Sequence, residues 1–438
     1  MEFRRITNLP PYVFTIINNL KIQARHDGAD VVDLGFGNPD IPSPQIAVDK
    51  LIEAAQNSKN HRYSLSRGLP KLREAVADMY MRNWGVKLNP ETQITNTIGS
   101  KEGFSHLMWV LLDRGDAAIV PSPSYPIHIY GPIFAGADVR QVPMQSQQVI
   151  DDQQYSDEFF TNLTEAYKNG WPRPRVLVVS FPHNPTGATV DLPFMQRVVD
   201  FCRERDMIVV HDFAYADVGF DGYKPPSILQ AEGAMECAVE LYSMTKSFSM
   251  AGWRVAFMAG NEQVVGALMK LKSYLDYGTF QPVQIAATVT LNEAQDFPQE
   301  VSNIYESRRN ALIDGLDRIG WHIPKSRGSM FVWAPIPEAY SDMDSVEFCS
   351  HLVRDCNVAL SPGAGFGPGG EGYARFALIE NEQRKGLTPL EIELFVQALI
   401  LSRRVGGTLS DTLDRLAKQV RKRQNFKMAA SGAVGMHR

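Results

Sequence analysis

The sequence predicts an α/β protein: a large domain built on an open, mostly parallel sheet flanked by helices, joined to a smaller α+β domain. Apolar, β-branched runs recur through the central chain at strand length, and between them apolar residues fall three and four apart, as on a buried helix face. Such alternation produces a parallel sheet covered on both sides. The chain has 438 residues, more than one hydrophobic core usually organises, so two domains are expected. After about residue 298 the rhythm changes, which marks the second domain.

Strands are predicted at 93–98, 117–121, 138–142, 175–180, 207–211, 238–243 and 254–258. Helical spacing is clearest at Phe104, Leu107, Met108, Leu111 and Leu112. Beyond 298 come a long helical stretch, a strand at 330–334, a helix at 345–356 and a strand at 373–379. Ser345 is expected to cap that helix, with Val346, Cys349, Leu352, Val353 and Cys356 as its buried stripe. The domain reading is 1–45 as a segment joining the small domain, 46–297 as the large domain, 298–400 as the small domain, and 401–438 as a basic extension. Leu409, Leu413, Leu416 and Val420 form an apolar stripe in that extension, to which no function is assigned. No internal repeat is found.

The net charge is −5, but from Arg403 onward nine Lys/Arg face two Asp/Glu, leaving the rest of the chain at −12. An acidic body argues against nucleic acid as the main partner. The four cysteines form no CxxC pair, and a chain of this size needs no disulfide staples. Reduced thiols and a cytoplasmic protein are expected. No stretch reaches the length of a membrane span, and the N-terminus lacks the pattern of a cleaved leader. No metal site is expected.

In open α/β sheets, ligands bind beyond the carboxyl ends of the strands. Five segments place polar residues there. TIGSKEGF sends a strand through Gly99 into a helix beginning at Ser100 and Lys101, either an anion site at the helix N-terminus or an ordinary capped turn. VVSFPHNPTGA holds Asn184 between two prolines, a stiff loop or a structural Asx turn. In IVVHDFAYAD, Asp212 ends an apolar strand three residues before Tyr215; a carboxylate there is costly without a partner, unless it caps a helix. AVELYSMTK ends at Lys246 after Ser243, an amine for phosphate or for nucleophilic chemistry, or a surface lysine. Arg375 in YARFALI sits among apolar neighbours and calls for a carboxylate partner.

Together these supply an anion cradle, an amine, a buried carboxylate, a phenol and a carboxylate-binding arginine, the set pyridoxal phosphate chemistry requires. From about Leu9 to Glu380 the chain resembles the class I/II pyridoxal-phosphate aminotransferases with the aspartate-aminotransferase fold, through NPTG, D-x-x-Y and SxxK…R in that order along the chain. PSPSYPIHIYG, SYLDYGTF and RFALIEN look most like the bacterial alanine (glutamate-pyruvate) type. The resemblance implies that Lys246 bonds the cofactor aldehyde and moves the substrate proton, that Asp212 pairs with the ring nitrogen, and that Tyr215 and Asn184 donate to the ring oxygen. It implies a phosphate site at Ser100, Lys101, Ser243 and Arg254, with Tyr125 stacked on the ring. The substrate carboxylate would meet Arg375, Asn184 and the backbone of Gly37. It further implies a homodimer with shared active sites, in which Tyr63, and also Thr279, reach the neighbour's phosphate.

The expected activity is a ping-pong amino transfer between an amino acid and a 2-oxo acid, most specifically alanine/glutamate and pyruvate/2-oxoglutarate. Aromatic, aspartate and LL-diaminopimelate substrates stay open, as does a C–S lyase on the same fold. A cofactor-sensing regulator would need a DNA-binding domain, and no basic helix-turn-helix precedes the fold. GFGPGG at 365–370 matches GxGxxG, but Pro368 interrupts it and a strand pattern follows, so it is read as a loop at the active-site rim.

Overall fold

The computed structural model describes residues 12–379, apart from 145–148, 151–152 and 319, together with the single positions 3, 7 and 9. The expected extension 401–438, with its apolar stripe, lies outside the described residues. Fourteen strands are described: β1 Val32–Asp33, β2 Ile94–Thr97, β3 Ala117–Ser122, β4 Asp138–Pro143, β5 Val149–Ile150, β6 Val176–Val179, β7 Thr189–Val190, β8 Ile208–Asp212, β9 Ala238–Ser243, β10 Ala256–Gly260, β11 Phe331–Pro335, β12 Val358–Ala359, β13 Ser361–Pro362 and β14 Tyr373–Ala377.

Seven of them form one sheet in the order β2-β10-β9-β8-β6-β3-β4. β10 runs antiparallel to both neighbours, and the remaining pairs are parallel. The continuous apolar runs now have a cause. Along β6, Leu177 and Val179 enter the core on one face while Val176 and Val178 enter the core on the other. Strand side chains alternate with period two, so a sheet covered on both faces needs apolar residues at every position. Burying each such valine or leucine is worth about 1.5–3 kcal/mol.

A third core belongs to the three-stranded antiparallel sheet β11-β14-β13. Three helices pack on it: Phe297–Asp317 through Val301, Tyr305 and Leu312, Ser345–Cys356 through Phe348, Cys349, Leu352 and Val353, and the N-terminal helix Val13–His26 through Ile17. β1 pairs in parallel with β12, Val32 against Val358, so the first described part of the chain shares this core.

Two local expectations are corrected. The strand placed at 254–258 begins only at Ala256, because Arg254 adopts a left-handed conformation with φ 55° that no β-strand accommodates. The helix at 345–356 is capped by Asp344, not Ser345. Asp344 accepts from the backbone of Val346 and Glu347, and Glu347 accepts in return from the Asp344 N–H, a capping box. The Ser345 hydroxyl instead donates to Glu371 at 3.1 Å. The same helix buries Phe348, while Val346 and Cys356 are only half-buried.

All four cysteines carry free thiols. No helix among the described residues is long and apolar enough to cross a membrane.

Candidate active site

The carboxyl ends of β2, β3, β6, β8 and β9 open into one cavity of about 580 Å³, closed from the other side by β13, β14 and the N-terminal helix. Every residue predicted for the site lines it except Tyr63 and Thr279. Parallel strands explain the convergence. They all end on the same edge of the sheet, so the loops that follow them are neighbours whatever their separation in sequence.

Lys246 emerges from β9 on the one-turn helix Met244–Ser247, started by the Ser243 hydroxyl, which accepts from the Thr245 N–H at 3.2 Å. Its Nζ donates to the Gly37 carbonyl at 2.7 Å. Burial of the amine, with Arg375 and Arg254 nearby, brings its pKa down to about 7. Desolvation and like charge both disfavour the ammonium.

Asp212 ends β8 with its two oxygens in different situations. Oδ2 lies 2.8 Å from His128 Nε2, and His128 Nδ1 lies 3.0 Å from the Ser124 hydroxyl. A carboxylate oxygen only accepts, so the Nε2 facing Asp212 is the donor of that contact, and the Ser124 hydroxyl can meet Nδ1. Oδ1 is buried with no partner. Asp212 is therefore held by one oxygen and offers the other to the cavity, and it caps no helix.

Arg375 crosses from β14, with its guanidinium 3.8 Å above the Phe331 ring and 4.6 Å from that of Phe366. It donates through Nη1 to Asn184 Oδ1 at 2.7 Å and through Nη2 to the Gly35 carbonyl at 3.1 Å and Ser361 Oγ at 3.3 Å. Nε has no partner, so this five-donor group keeps donors for a further acceptor. Burial draws its pKa down to about 10, which leaves it charged near neutrality. Because Asn184 spends its oxygen on Arg375, its amide NH₂ remains to donate.

Tyr215 packs edge-on against Phe331 at 5.8 Å. Burial raises its phenol pKa and pushes that of Tyr125 up to about 12, so both keep their protons as donors. Tyr125 also makes an edge contact with His128.

The expected anion site takes shape around Gly99, the last residue before the helix Ser100–Leu111. A Cβ at Gly99 would fall 2.0 Å from Arg254 Nη2. Only glycine lets the guanidinium approach the helix N-terminus this closely, and its φ of 79° suits the residue that lacks a side chain. Free N–H groups, the helix dipole and a guanidinium then face one point.

Tyr63 and Thr279 lie together elsewhere. The Tyr63 ring is 82% exposed and stacks on Tyr277 at 4.4 Å, and the Ser64 hydroxyl lies 2.9 Å from the carbonyls of both Tyr277 and Thr279. GFGPGG forms two short 3-10 turns at the rim: Gly369 N–H donates to Ser122 Oγ at 3.1 Å, and Phe366 lines the cavity. Nothing in the sequence alone singles out His128, three residues after Tyr125 in PSPSYPIHIYG. The same holds for Phe331, Ser361, and the pair Lys21 and Asp33.

Among the described residues, Glu102, His106 and Asp276 could approach a metal ion. The buried Lys272 ammonium already sits 2.9 Å from both carboxylates, and this places a cation there.

The arrangement defines a class. Residues 29–387 match the family described as aminotransferase class I and II, and the chain belongs to it, with the fold type I architecture of a mostly parallel sheet and a small antiparallel one. The chain is similar to the glutamate-pyruvate aminotransferase AlaC of Escherichia coli K12, 46% identical over 87% of this chain and 91% of that protein. It is also similar to the LL-diaminopimelate aminotransferase of Moorella thermoacetica, 39% identical over 87% and 95%. Among solved structures, substrate-bound BacF from Bacillus subtilis superposes with a TM-score of 0.80 at 31% identity, covering 92% of this chain and 98% of BacF.

Class I and II aminotransferases use pyridoxal 5'-phosphate. The cavity fits that group: an unpartnered carboxylate oxygen suits a protonated ring nitrogen, a low-pKa amine suits an aldehyde, and the Gly99–Arg254 cradle suits a phosphate.

Proposed function

We propose that the protein transfers amino groups between alanine or glutamate and the matching 2-oxo acids, pyruvate and 2-oxoglutarate, by a ping-pong mechanism. The observation that carries the amino-transfer chemistry is the meeting of Lys246, Asp212 Oδ1 and Arg375 in one cavity. The alanine/glutamate choice is supported by the likeness to AlaC.

Bound pyridoxal phosphate supplies an electron sink for the substrate Cα and a carrier for the amino group. The chain does the rest. Lys246 Nζ, whose pKa in this cavity is about 7, would be the base that takes the proton from the substrate Cα and gives it back. Asp212, steadied by His128, would keep a proton on the ring nitrogen. Tyr215 O–H and the Asn184 amide would donate to the ring oxygen, and Tyr125 would cover the ring. Ser100, Lys101, Ser243 and Arg254 would hold the phosphate. Arg375 and Asn184, with the backbone of Gly37, receive the substrate carboxylate through charge-assisted hydrogen bonds.

The test mixes the cofactor-loaded protein with single amino acids, follows the cofactor absorbance, and restores it with single oxo acids. Alanine and glutamate are expected to change the spectrum, and pyruvate and 2-oxoglutarate to reverse it. A spectrum indifferent to alanine and glutamate but responsive to LL-diaminopimelate, aspartate or an aromatic amino acid overturns the substrate assignment. Thiol release from a sulfur amino acid without amino transfer overturns the reaction assignment.

We also propose a homodimer with shared sites. Tyr63, Leu65, Tyr274, Tyr277 and Phe280 are all exposed, and large apolar side chains grouped on a surface mark an interface. Light scattering should give twice the chain mass. Tyr63→Phe should keep the dimer while weakening cofactor retention by about tenfold, the loss of one charge-assisted hydrogen bond. A monomer that retains the cofactor and full activity excludes the shared site.

A further inference from the structure

We propose that Lys21 and Arg308 are positioning residues for substrate recognition: they clasp the two ends of the segment 33–40, whose central carbonyls hold the cations that meet the substrate. The proposal rests on the reading of Arg375 as receptor of the substrate carboxylate.

At the first end, Asp33 on β1 accepts from Lys21 Nζ through Oδ2 at 2.6 Å and from the Gly35 N–H through Oδ1 at 3.1 Å. The two side chains are only 13% and 15% exposed. At the second end, Asp40 takes both guanidinium arms of Arg308 at 2.8 Å, and Arg308 Nη1 also donates to the Leu378 carbonyl at 3.0 Å. Lys21 belongs to the helix Val13–His26, and Arg308 to the helix Phe297–Asp317. Both helices pack on the small-domain core.

Between these anchors the backbone carries the functional contacts. The Gly35 carbonyl accepts from Arg375 Nη2 and from the Ser361 hydroxyl, the latter at 2.7 Å, and the Gly37 carbonyl accepts from Lys246 Nζ. A Cβ at Gly37 would fall 2.5 Å from the Phe331 ring, and one at Gly35 would fall 3.2 Å from the Leu360 carbonyl carbon. The segment lies flat on its neighbours because these positions lack side chains, so it has none there to anchor itself. The backbone of Leu34 fixes one point, its N–H donating to the Ala359 carbonyl at 2.9 Å and its carbonyl accepting from the Ala377 N–H at 2.6 Å, and the carboxylates of Asp33 and Asp40 anchor the two ends. If either end loosens, the Gly35 carbonyl moves and the guanidinium of Arg375 turns with it. A bidentate carboxylate contact tolerates little rotation, and misplacement of about 1 Å is enough to lose much of it.

The ion pairs of the two clasps are made to Asp33 and Asp40, which are not among the residues proposed to hold the cofactor. A mere structural role would change stability alone, whereas a positioning role changes apparent substrate affinity with the chemical step kept. The test uses the cofactor-loaded enzyme and its Lys21→Met, Lys21→Arg and Arg308→Met variants, with KM and kcat measured for an amino acid and an oxo acid that the wild type accepts. Lys21→Met and Arg308→Met are each expected to raise KM for both substrates by about tenfold with kcat within about twofold, and Lys21→Arg to restore KM. Unchanged KM in a folded Lys21→Met protein overturns the proposal. So does a KM increase confined to dicarboxylate substrates, which would make Lys21 a direct ligand.

Should Lys21→Met not fold, Asp33→Asn serves instead. It keeps an acceptor for Gly35 and removes the charge facing Lys21, and it must show the same KM increase. Arg375→Lys separates the underlying readings: if it leaves KM unchanged, the carboxylate assignment fails; if it raises KM while the clasp variants do not, the clasp alone fails.

Discussion

Replacing Lys246 by alanine is expected to lower kcat by about 10⁴-fold or more, the combined loss of a covalent attachment point and a proton carrier. The geometry leaves no substitute. The other cations of the cavity are Arg254 and Arg375, which stay protonated and cannot act as bases, Lys21, which is held by Asp33 at 2.6 Å, and Lys101, which is exposed and lies 5.9 Å from the Tyr125 ring. After borohydride reduction the wild-type chain should carry the cofactor mass, and the variant should not. The fold should survive, since the one hydrogen bond the Lys246 amine makes is to the Gly37 carbonyl.

The same residue sets a pH dependence. Its pKa lies near 7 because burial and two arginines destabilise the ammonium, so the reactive neutral form gains as pH rises and is nearly complete by pH 8. Capture of added pyridoxal phosphate by cofactor-free protein should accelerate about tenfold between pH 6 and pH 8, then level off. A rate that kept rising through pH 10 would mean an ordinary solvated lysine.

The second large effect is expected at Asp212. Changing it to asparagine preserves size and leaves an oxygen where Oδ1 now stands, but removes the negative charge facing the cavity. A neutral amide cannot keep the ring nitrogen protonated, and kcat should fall by about 10³-fold, the upper range for removing one preorganised electrostatic partner. His128 can meet the amide by shifting its proton to Nδ1, so thermal stability should change little. A variant within tenfold of wild type would show that the unpartnered oxygen is not aimed at a charge.

These two residues were legible in the sequence for a definite reason. Each stands at the end of an apolar run, and in a parallel sheet the end of the run is the site, so residue type and position identify them without knowledge of the partners. Ser243, Lys246 and Arg254 lie within one short segment whose local geometry already brings them close. The turn at Gly99 announces itself as well, because a glycine before a helix start is a local feature.

His128 was not legible, since its role comes from Asp212, 84 residues away. Nor was the bond between Asn184 and Arg375, which spans 191 residues, or the clasp of Asp40 by Arg308, which spans 268. Ser345 as a cap failed for a smaller reason: two adjacent residues could both cap, and only the backbone shows that Asp344 holds the extended conformation a cap requires.

By itself, then, the sequence determined the alternation of strands and helices, the carboxyl-end positions of the amine, carboxylate and arginine, and through them the family. Those features follow from periodicity and residue chemistry, which act over a few residues. The tertiary structure alone decided which oxygen of Asp212 stays unpaired, that Lys246 is shielded enough to lose its proton near pH 7, that Tyr63 faces outward, and that the segment holding Arg375 is pinned at both ends. Each depends on burial and on hydrogen bonds between residues tens to hundreds of positions apart, brought together only when the large sheet and the small domain pack.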